Sequence, residues 1–469
     1  MRGHRLHFLF PAILAFATSA FANATITIHD IDAPNAGLND PTPAAPVGGN
    51  SGTTLGQQRM IALQAAANIW GSLIDSSVEI VIDAKMTSLS CDATGVVLAD
   101  CGPQKVVDNF PNAPKQDVWY PIALANKFAA TDLDPGNPDI AAEFNSDLGN
   151  GTCFGSTGWY YGLDGNHGDA VDMVTVALHE FAHGLGISGS YDSQTGALFE
   201  EKPNVFELHT LDDTTGKRWD QMTDAERLAS QKNDQNLVWD GEHARLGASA
   251  FLGPAPFLRV LGNSYRVGTA SFGATIGVAQ LIAPLVAPQD PSDSAGPSAT
   301  DGCSPFTDPA GVIGRIAIVD RGTCQFVVKA RNAQDAGAAA LIIADNVSAT
   351  SPLALGGDDG SIAIPVISVT KSDGAAIRAQ AAAGASALLA ADPQQLAGAD
   401  SHGFVKLFAP SPLQDGSSIH HWDSSATPDL LMEPSISSRL SHGVDITADQ
   451  LSDLGWDESP SGRRTLQRK

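Results

Sequence analysis

The stretch VTVALHEFAHGLG, residues 174–186, constrains this chain more than any other. Its first half is apolar and free of glycine and proline, which predicts a buried helix that ends at the glycines. His179 and His183 stand four residues apart, so both imidazoles lie on one helix face and can reach one metal ion. Glu180 projects beside that ion without being a ligand. Two imidazoles, an activated water and a carboxylate that takes its proton are what a zinc hydrolase needs.

The motif is incomplete, because a catalytic zinc usually has three protein ligands and one open position. The metzincin pattern H-E-x-x-H-x-x-G-x-x-H places the third histidine three residues after the glycine. In this chain Gly186 matches the glycine, but Gly189 occupies the last position. The third ligand must therefore come from elsewhere. Two downstream glutamates, Glu200 and Glu207, are candidates for a site with a glutamate as third ligand.

Residues 1–22 have the pattern of a secretory signal peptide. Arg2 and Arg5 precede an apolar run, and Ala20-Phe21-Ala22 matches the A-x-A cleavage pattern. The apolar run is too short for a membrane span, and no other stretch is a candidate. We therefore expect a mature chain that is exported to the periplasm or the medium and has no membrane span.

Charge excludes some classes of partner. The chain has 27 Lys and Arg against 52 Asp and Glu, a net charge of −25. Such an acidic protein is a poor ligand for nucleic acid, so we expect no nucleic-acid partner. With 469 residues, of which 43% are hydrophobic, the chain can bury two or three domain cores.

Five cysteines fit an oxidising compartment. Cys91 and Cys101 are close in sequence and are expected to close a local loop. Cys303 and Cys324 form a second candidate pair, which leaves Cys153 over. Sequence alone does not fix the pairing, and Cys91–Cys153 remains an alternative.

A loop rich in glycine, asparagine and aspartate precedes the motif helix. Asp164, Asn166 and Asp169 in this loop are candidate calcium ligands, but their spacing matches no known calcium loop. A turn-rich loop is the simpler interpretation.

The N-terminal part has an α/β pattern. Residues 24–31 alternate like a strand, residues 55–74 have helical spacing of apolar side chains, and residues 78–84 are β-prone. Two further helices are expected over 119–128 and 223–232. A strand, a long helix and a strand predict a sheet covered by helices.

The composition changes at about residue 265, where alanine, glycine, valine and isoleucine become frequent. The pattern predicts alternating strands and helices, and therefore a compact α/β unit with its own core. We expect strands at 315–320, 338–344 and 364–369 and helices at 326–336 and 371–383. The unit shows no nucleophile, metal cluster or phosphate loop.

The run GRIAIVDRGTCQFVVKARNAQDAGAAALIIAD, with the later IPVISVTKSDG, resembles the protease-associated (PA) domain over about residues 265–395. Cys303 and Cys324 stand where that family often has a disulfide. The resemblance implies a non-catalytic module that is attached to or inserted in a peptidase or receptor.

Beyond this unit the segment SSIHHWDSSATPDLLMEP contains His420, His421 and Met432. A His-Trp pair followed at this distance by Met-x-Pro resembles the leishmanolysin-type metzincins, in which the third histidine lies far downstream and a methionine turn underlies the metal. The resemblance implies that His421 is the third zinc ligand and that Met432 is the methionine of the turn. His420 is the second choice, and His442 and His402 are weaker candidates.

Together these features predict an α/β (α+β) metzincin-like catalytic domain that is split by an inserted α/β PA-like domain. The expected division is a signal peptide (1–22), a catalytic part with the zinc helix (23–264), the insert (265–398), a catalytic part with the third ligand (399–458) and a tail (459–469).

The predicted activity is zinc-dependent endopeptidase cleavage of a protein or peptide substrate, with one catalytic Zn²⁺ held by His179, His183 and His421 and with Glu180 as general base. Two alternatives remain. One is a gluzincin-type peptidase with a glutamate as third ligand, and the other is a secreted binding protein whose zinc site is idle.

Overall fold

The computed structural model describes residues 23–92, 95–155, 157–357 and 359–457. The expected signal peptide, residues 1–22, and the tail, residues 459–469, lie outside the described residues. Within those ranges, no helix is long and apolar enough to cross a membrane.

One hydrophobic core joins the two ends of the described chain. Buried apolar side chains from Ala24 to Leu252 pack with those from Ala399 to Trp456. The residues between these two segments form separate cores of their own. We call the first assembly the body and the intervening segment the inserted unit. Burial in one core therefore joins parts of the chain that lie far apart in sequence.

The body is built on a four-stranded sheet. Three strands are parallel neighbours, and the fourth pairs antiparallel at the edge. In spatial order they are Ile26–Asp30, Ile80–Thr87, Ile140–Asn145 and Ala99–Pro103. A helix over Leu55–Leu73 begins after the Thr54 cap. Its buried Trp70 donates from Nε1 to the carbonyl of Leu178 at 2.9 Å and so fixes the motif helix against it.

The other body helices surround this layer. The helix expected over 119–128 begins later, at Ile122, because Tyr120–Pro121 pairs as a strand with Val106–Val107. The helix expected over 223–232 has the Thr223–Glu226 capping box. The body helices after the first are Ile122–Ala129, Met173–Leu185, Asp224–Ser230, Glu242–Phe251 and Thr447–Leu454.

A small antiparallel sheet joins the two parts of the body. Its order is Lys217–Arg218, Thr210–Asp212, Leu237–Trp239 and Val405–Lys406, so a strand after the inserted unit pairs with strands before it. A two-stranded pair is Trp159–Tyr160 with Val171–Asp172. The short 3₁₀ turns are Gly37–Asn39, Phe199–Glu201, Phe206–Leu208, Trp219–Gln221 and, in the inserted unit, Pro309–Val312.

The inserted unit contains an eight-stranded mixed sheet with a hydrophobic core on each face. Its order is Asn263–Tyr265, Pro254–Val260, Ser386–Leu396, Leu281–Val286, Ile316–Asp320, Ala340–Ala344, Val366–Val369 and Gly268–Thr269. Its helices are Phe326–Asp335 and Lys371–Ala382. The expected strands and helices of this segment are thus present, and the sheet already begins at Pro254, before the expected boundary at 265.

The chain enters and leaves the inserted unit side by side. The first strand of the unit pairs antiparallel with its last strand, with Pro254 opposite Leu396. The amide of Ala397 donates to the carbonyl of Gly253 at 2.9 Å. Because the two ends of the unit are adjacent, it can be inserted in a loop of the body, and the two parts of the body still pack together.

The expected bridge between Cys91 and Cys101 is wrong. Cys91 pairs with Cys153, with Cα atoms 5.3 Å apart, and Cys101 is free. Cys101 is held in the edge strand opposite Ala142, whereas the amide of Phe154 donates to the carbonyl of Asp92 and brings the Cys153 loop back to Cys91. In the inserted unit, Cys303 and Cys324 form a disulfide.

Candidate metal centre

The helix Met173–Leu185 carries the H-E-x-x-H motif, and we call it the motif helix. Asp172 caps its N-terminus by accepting a hydrogen bond from the amide of Thr175 at 2.9 Å. Gly186 ends it with φ of 132°, a backbone conformation that favours glycine. Because this helix is buried on nearly all sides, its polar side chains at the motif need partners inside the protein.

Three imidazoles converge at this helix. Nε2 of His421 lies 3.1 Å from Nε2 of His179 and 3.3 Å from Nε2 of His183. Among the described residues, these three form the one group of three or more His, Cys, Asp or Glu side chains whose ligand atoms approach within 4.8 Å of one another. The fold therefore brings the downstream histidine onto the motif.

The opposite nitrogen of each ring faces a main-chain carbonyl. Nδ1 of His179, of His183 and of His421 each lie 2.7 Å from a carbonyl oxygen, which belongs to Leu431, Ile187 and Ser417, respectively. A carbonyl only accepts, so Nδ1 carries the proton in each neutral ring. The three Nε2 lone pairs then face one another with no proton between them.

This arrangement fits a zinc ion. Ligand nitrogens about 2.0–2.1 Å from a tetrahedral zinc lie roughly 3.3–3.4 Å apart. The two short Nε2 separations are close to that value. Neutral imidazoles oriented by hydrogen bonds from their second nitrogen are the usual form of such ligands. The donor set and its orientation both match a three-histidine metal site.

Burial keeps these rings neutral. It lowers the pKa of His179 to about 3, with the neighbouring His183 as a second cause. Burial also lowers the pKa of His183, and it places the pKa of His421 well below the ordinary value. Deprotonated nitrogens are the form that binds a metal ion.

Glu180 is buried on the motif helix, directly after His179. Burial, with a smaller effect of Asp100, raises the pKa of its carboxyl group to about 8. A carboxyl group whose pKa lies near neutrality can both take and return a proton. Its position and environment suit a general base.

The turn around Met432 lies beside the three histidines. Met432 is fully buried, and its carbonyl accepts from the amide of Trp422 at 2.7 Å. The preceding residue, Leu431, provides the carbonyl that faces His179. The amide of the same Leu431 donates to Oδ2 of Asp445 at 2.5 Å. The hydrogen bond between this turn and His179 is thus made by the main chain of Leu431.

Two residues that sequence reasoning missed hold the site in place. Asp445 fixes the Leu431 peptide, and the amide and hydroxyl of Thr447 also donate to it. Asp172 both caps the motif helix and accepts from Nε2 of His442 at 2.9 Å. The S/T/D/N rule for helix caps could have found Asp172, whereas no local pattern indicates Asp445. His442, a weaker ligand candidate, is engaged by Asp172 instead.

The remaining ligand candidates lie elsewhere. His420 is adjacent to the site, but in the described part of the chain its Nε2 has no hydrogen-bond partner, and it is outside the histidine group. Glu207 accepts from the amides of Ser190 and Asn204. Glu200 is exposed, and His402 pairs with Asp400 on the surface.

Gly189 takes the place that the contiguous pattern gives to a histidine. A Cβ at this position would overlap Nε2 of His420 and would stand 3.2 Å from Oε1 of Glu207. The space that a side chain at position 189 would need is filled by His420. Position 189 therefore has room only for glycine as long as His420 is packed against it.

The calcium expectation has no support. Oδ1 of Asp164 accepts from the hydroxyl of Tyr160 at 2.6 Å and from the amide of Asn166 at 3.0 Å. These hydrogen bonds build a turn. Within the described ranges, neither Asp164 nor Asp169 belongs to a group of three metal-binding side chains.

Comparison with known protein families identifies a PA domain over residues 281–377, inside the inserted unit. The resemblance of this segment to the PA domain is therefore confirmed. The match covers four adjacent strands at the centre of the sheet, the helix Phe326–Asp335 and the first part of the helix Lys371–Ala382.

Curated relatives share short regions with this chain. It is 40% identical over 117 residues to "Probable lipoprotein aminopeptidase LpqL" of Mycobacterium tuberculosis (25% of this chain, 21% of that protein). It is 35% identical over 118 residues to the human "ER degradation-enhancing alpha-mannosidase-like protein 3" (24% and 12%). It is 37% identical over 67 residues to "Aminopeptidase YwaD" of Bacillus subtilis (14% and 15%). The chain thus matches at most about a fifth of the length of these proteins.

Solved structures give a similar partial match. "The structure of BSAP, a zinc aminopeptidase from Bacillus subtilis" is 27% identical and aligns with 31% of this chain and 36% of that one, at a TM-score of 0.23. "Aminopeptidase from Aneurinibacillus sp. strain AM-1" is 18% identical, with coverage of 40% and 42% and the same TM-score.

Proposed function

We propose that this protein is a secreted zinc-dependent endopeptidase of metzincin type, in which a PA domain is inserted between the motif helix and the third zinc ligand. The observation that carries the proposal is the convergence of three buried Nε2 atoms, each oriented by a carbonyl behind its ring. The resemblance to leishmanolysin-type metzincins assigns the same residues. The disulfides are consistent with an extracellular protein.

His179, His183 and His421 would hold the metal. When bound, zinc supplies a water of lowered pKa and a positive charge that polarises a carbonyl oxygen. A site with three protein ligands keeps a position open for that chemistry, whereas structural zinc sites have four. The described residues provide three ligands in this group, which supports a catalytic site over an idle one.

Glu180 would perform the proton transfers. Its carboxylate takes a proton from the attacking water and returns it to the nitrogen of the leaving amine. Burial raises the pKa of this carboxyl group to about 8, which makes its carboxylate a stronger proton acceptor than that of an exposed glutamate. The same carboxyl group thereby serves as base and then as acid.

The relatives named as aminopeptidases suggest a different substrate class. The shared regions are short, and a mannosidase-like protein shares a region of similar length, so the similarity does not specify the reaction. An endopeptidase cleaves inside a chain and does not require a free amino terminus.

The test compares two substrates. We expect the zinc-loaded protein to cleave an internally quenched peptide with a blocked N-terminus and to lose this activity with a chelator. A free aminoacyl anilide should be a poor substrate. Cleavage of the anilide alone would establish aminopeptidase activity instead. If the zinc-loaded protein cleaves neither casein nor any peptide, a binding protein with an idle zinc site is favoured.

A further inference from the structure

A cavity of about 370 Å³ lies where the inserted unit meets the body. Residues of both assemblies line it. The inserted unit contributes Arg266, Ser351 and Gln395, and the body contributes Gln235, Lys406 and Asp423, among others. This volume falls within the range of small-molecule sites, about 300–1,000 Å³.

Two opposite charges in the wall of this cavity have unused hydrogen-bonding capacity. Asp423 is 2% exposed, and its Oδ2 accepts no hydrogen bond from any residue that the structure describes. The partly buried Lys406 has three N–H donors at Nζ, and one of them donates to Oε1 of Gln235 at 3.0 Å. Ser425, also in the wall, has an Oγ without a hydrogen-bond partner among the described residues. Buried polar atoms of this kind normally have partners.

Gln235 holds these two charges apart. Its Oε1 accepts from Lys406, and its Nε2 donates to Oδ1 of Asp423 at 3.0 Å. Burial lowers the pKa of Lys406, and the nearby charge of Asp423 partly opposes this shift. One amide thus separates a cation from a carboxylate in the cavity wall, and within the described residues Oδ2 of that carboxylate has no partner of its own.

The neighbouring charges do not fill this role. Arg266 donates to Asp234 at 3.0 Å and to the hydroxyl of Ser351 at 3.1 Å, which engages part of its guanidinium. At the cavity rim Asp213 and Asp400 interact closely, and burial with this contact raises the pKa of Asp213 to about 6. Arg266 is exposed, whereas the partly buried Lys406 stands beside Asp423 through the shared Gln235.

We propose that this cavity binds a small zwitterion, an α-amino acid or a dipeptide, whose carboxylate meets Lys406 and whose ammonium group meets Asp423. A lone metal cation is disfavoured by the ammonium of Lys406, and within the described ranges no group of three metal-binding side chains lies here. A lone anion is disfavoured by the carboxylate of Asp423. A molecule with both charges satisfies both side chains.

The site also lies close to the third histidine. The amide of Asp423 donates to the carbonyl of Lys406 at 2.9 Å, and the amide of Phe408 donates to the carbonyl of His421 at 2.9 Å. The strand with Lys406 and the segment with His421 are thus paired. A bound zwitterion would brace the segment that provides the metal ligand.

The proposal is tested by calorimetric titration of the zinc-loaded full chain with L-alanine and with glycylglycine. We expect saturable binding to one site per chain. Acetate, ethylammonium and N-acetyl-L-alanine amide each lack one or both charges and should not bind detectably. These comparisons use the wild-type protein and do not depend on the folding of a variant.

Variants locate the site. Lys406→Met and Asp423→Asn should each weaken alanine binding by about tenfold or more, because each leaves one ligand charge unpaired in a buried site. Lys105→Met, which removes an exposed ion pair with Asp134, should bind like the wild type. Because amino acids also chelate zinc, a loss in Lys406→Met separates this cavity from the metal site. Absence of binding, equal binding of the uncharged amide, or unchanged binding in both variants would show that the cavity holds water only.

Discussion

Nε2 of His421 lies 3.1 Å from Nε2 of His179, although 242 residues separate the two histidines in the chain. The inserted unit accounts for much of this separation, and its first and last strands are paired at the point where the chain leaves and re-enters the body. The two histidines can therefore be neighbours in space although they are far apart in sequence.

His421→Ala should abolish tight zinc binding. Two imidazoles would remain, and the open coordination of a two-histidine site binds zinc weakly. We expect less than stoichiometric zinc after dialysis, measured by atomic emission, and loss of peptide cleavage. The matched control is His420→Ala, whose side chain is outside the histidine group. Zinc that stays with His421→Ala but leaves His420→Ala would move the third ligand to His420.

Glu180→Gln should keep zinc and lose turnover. The amide cannot take a proton, and a general base contributes about 10²–10⁴-fold to a hydrolytic rate. The measurement is kcat on the blocked peptide together with zinc content. Glu201→Gln, at an exposed glutamate, should behave like the wild type. A variant at position 180 that keeps the parent rate would remove this residue from the mechanism.

Gly189→Ala should disturb the metal site through packing. The added Cβ would overlap Nε2 of His420, which must move and take the adjacent His421 with it. Overpacking of this kind costs about 1–3 kcal/mol in the free energy of unfolding. Denaturant unfolding and zinc competition titrations should both show the loss. Gly360→Ala, where a Cβ meets no atom within 4 Å, is the control. If the two variants have the same stability and zinc affinity, His420 moves aside at no cost to either.

Asp445→Ala should weaken zinc binding without removing a ligand. It releases the Leu431 amide, and the carbonyl of the same residue orients His179. Loss of such an outer partner costs about 10–100-fold in metal affinity. Asp445→Asn keeps one acceptor oxygen and should restore part of the affinity. The control Glu433→Ala removes a hydrogen bond to the neighbouring Leu430 amide. If both alanine variants bind zinc like the wild type, Asp445 has only a structural role.

His442→Gln should destabilise the protein more at acidic than at alkaline pH. The hydrogen bond to Asp172 raises the pKa of His442 above its ordinary value of 6.5. A raised pKa in the folded state means that the stabilisation is complete below pH 6.5 and disappears as the pH rises through the folded-state pKa. Urea unfolding of metal-free wild type and variant at several pH values gives the difference, and His243→Gln is the surface control. A difference that is independent of pH would contradict the ion pair.

Local patterns predicted much of this molecule. The motif helix, the long N-terminal helix with its flanking strands, and the PA domain have strong periodicity or a distinctive run of residues. These signals depend on neighbours within a few positions, so they can be read along the chain. The orientation of His179 and His183 toward one point also follows from their four-residue spacing.

The cysteine pairing and the later start of the helix at Ile122 could not be predicted in this way. Cys101 is nearer to Cys91 in sequence, but strand pairing holds Cys101 opposite Ala142. The loop that contains Cys153 comes back to Cys91 and forms the disulfide. At Ile122 the strand Tyr120–Pro121 competes with the helix. Both outcomes depend on partners that lie elsewhere in the fold.

The sequence by itself indicated a helix with two histidines and a glutamate in the spacing of a zinc motif, an inserted α/β unit, and a short list of downstream histidines. Only the tertiary structure decided which histidine meets the motif, because Nε2 of His421 reaches it while His420 fills the space beside Gly189. It also decided that Leu431 and Asp445 orient His179. The physical reason is that these contacts are set by the burial of two distant segments in one core, and periodicity along the chain carries no information about which distant segments share a core.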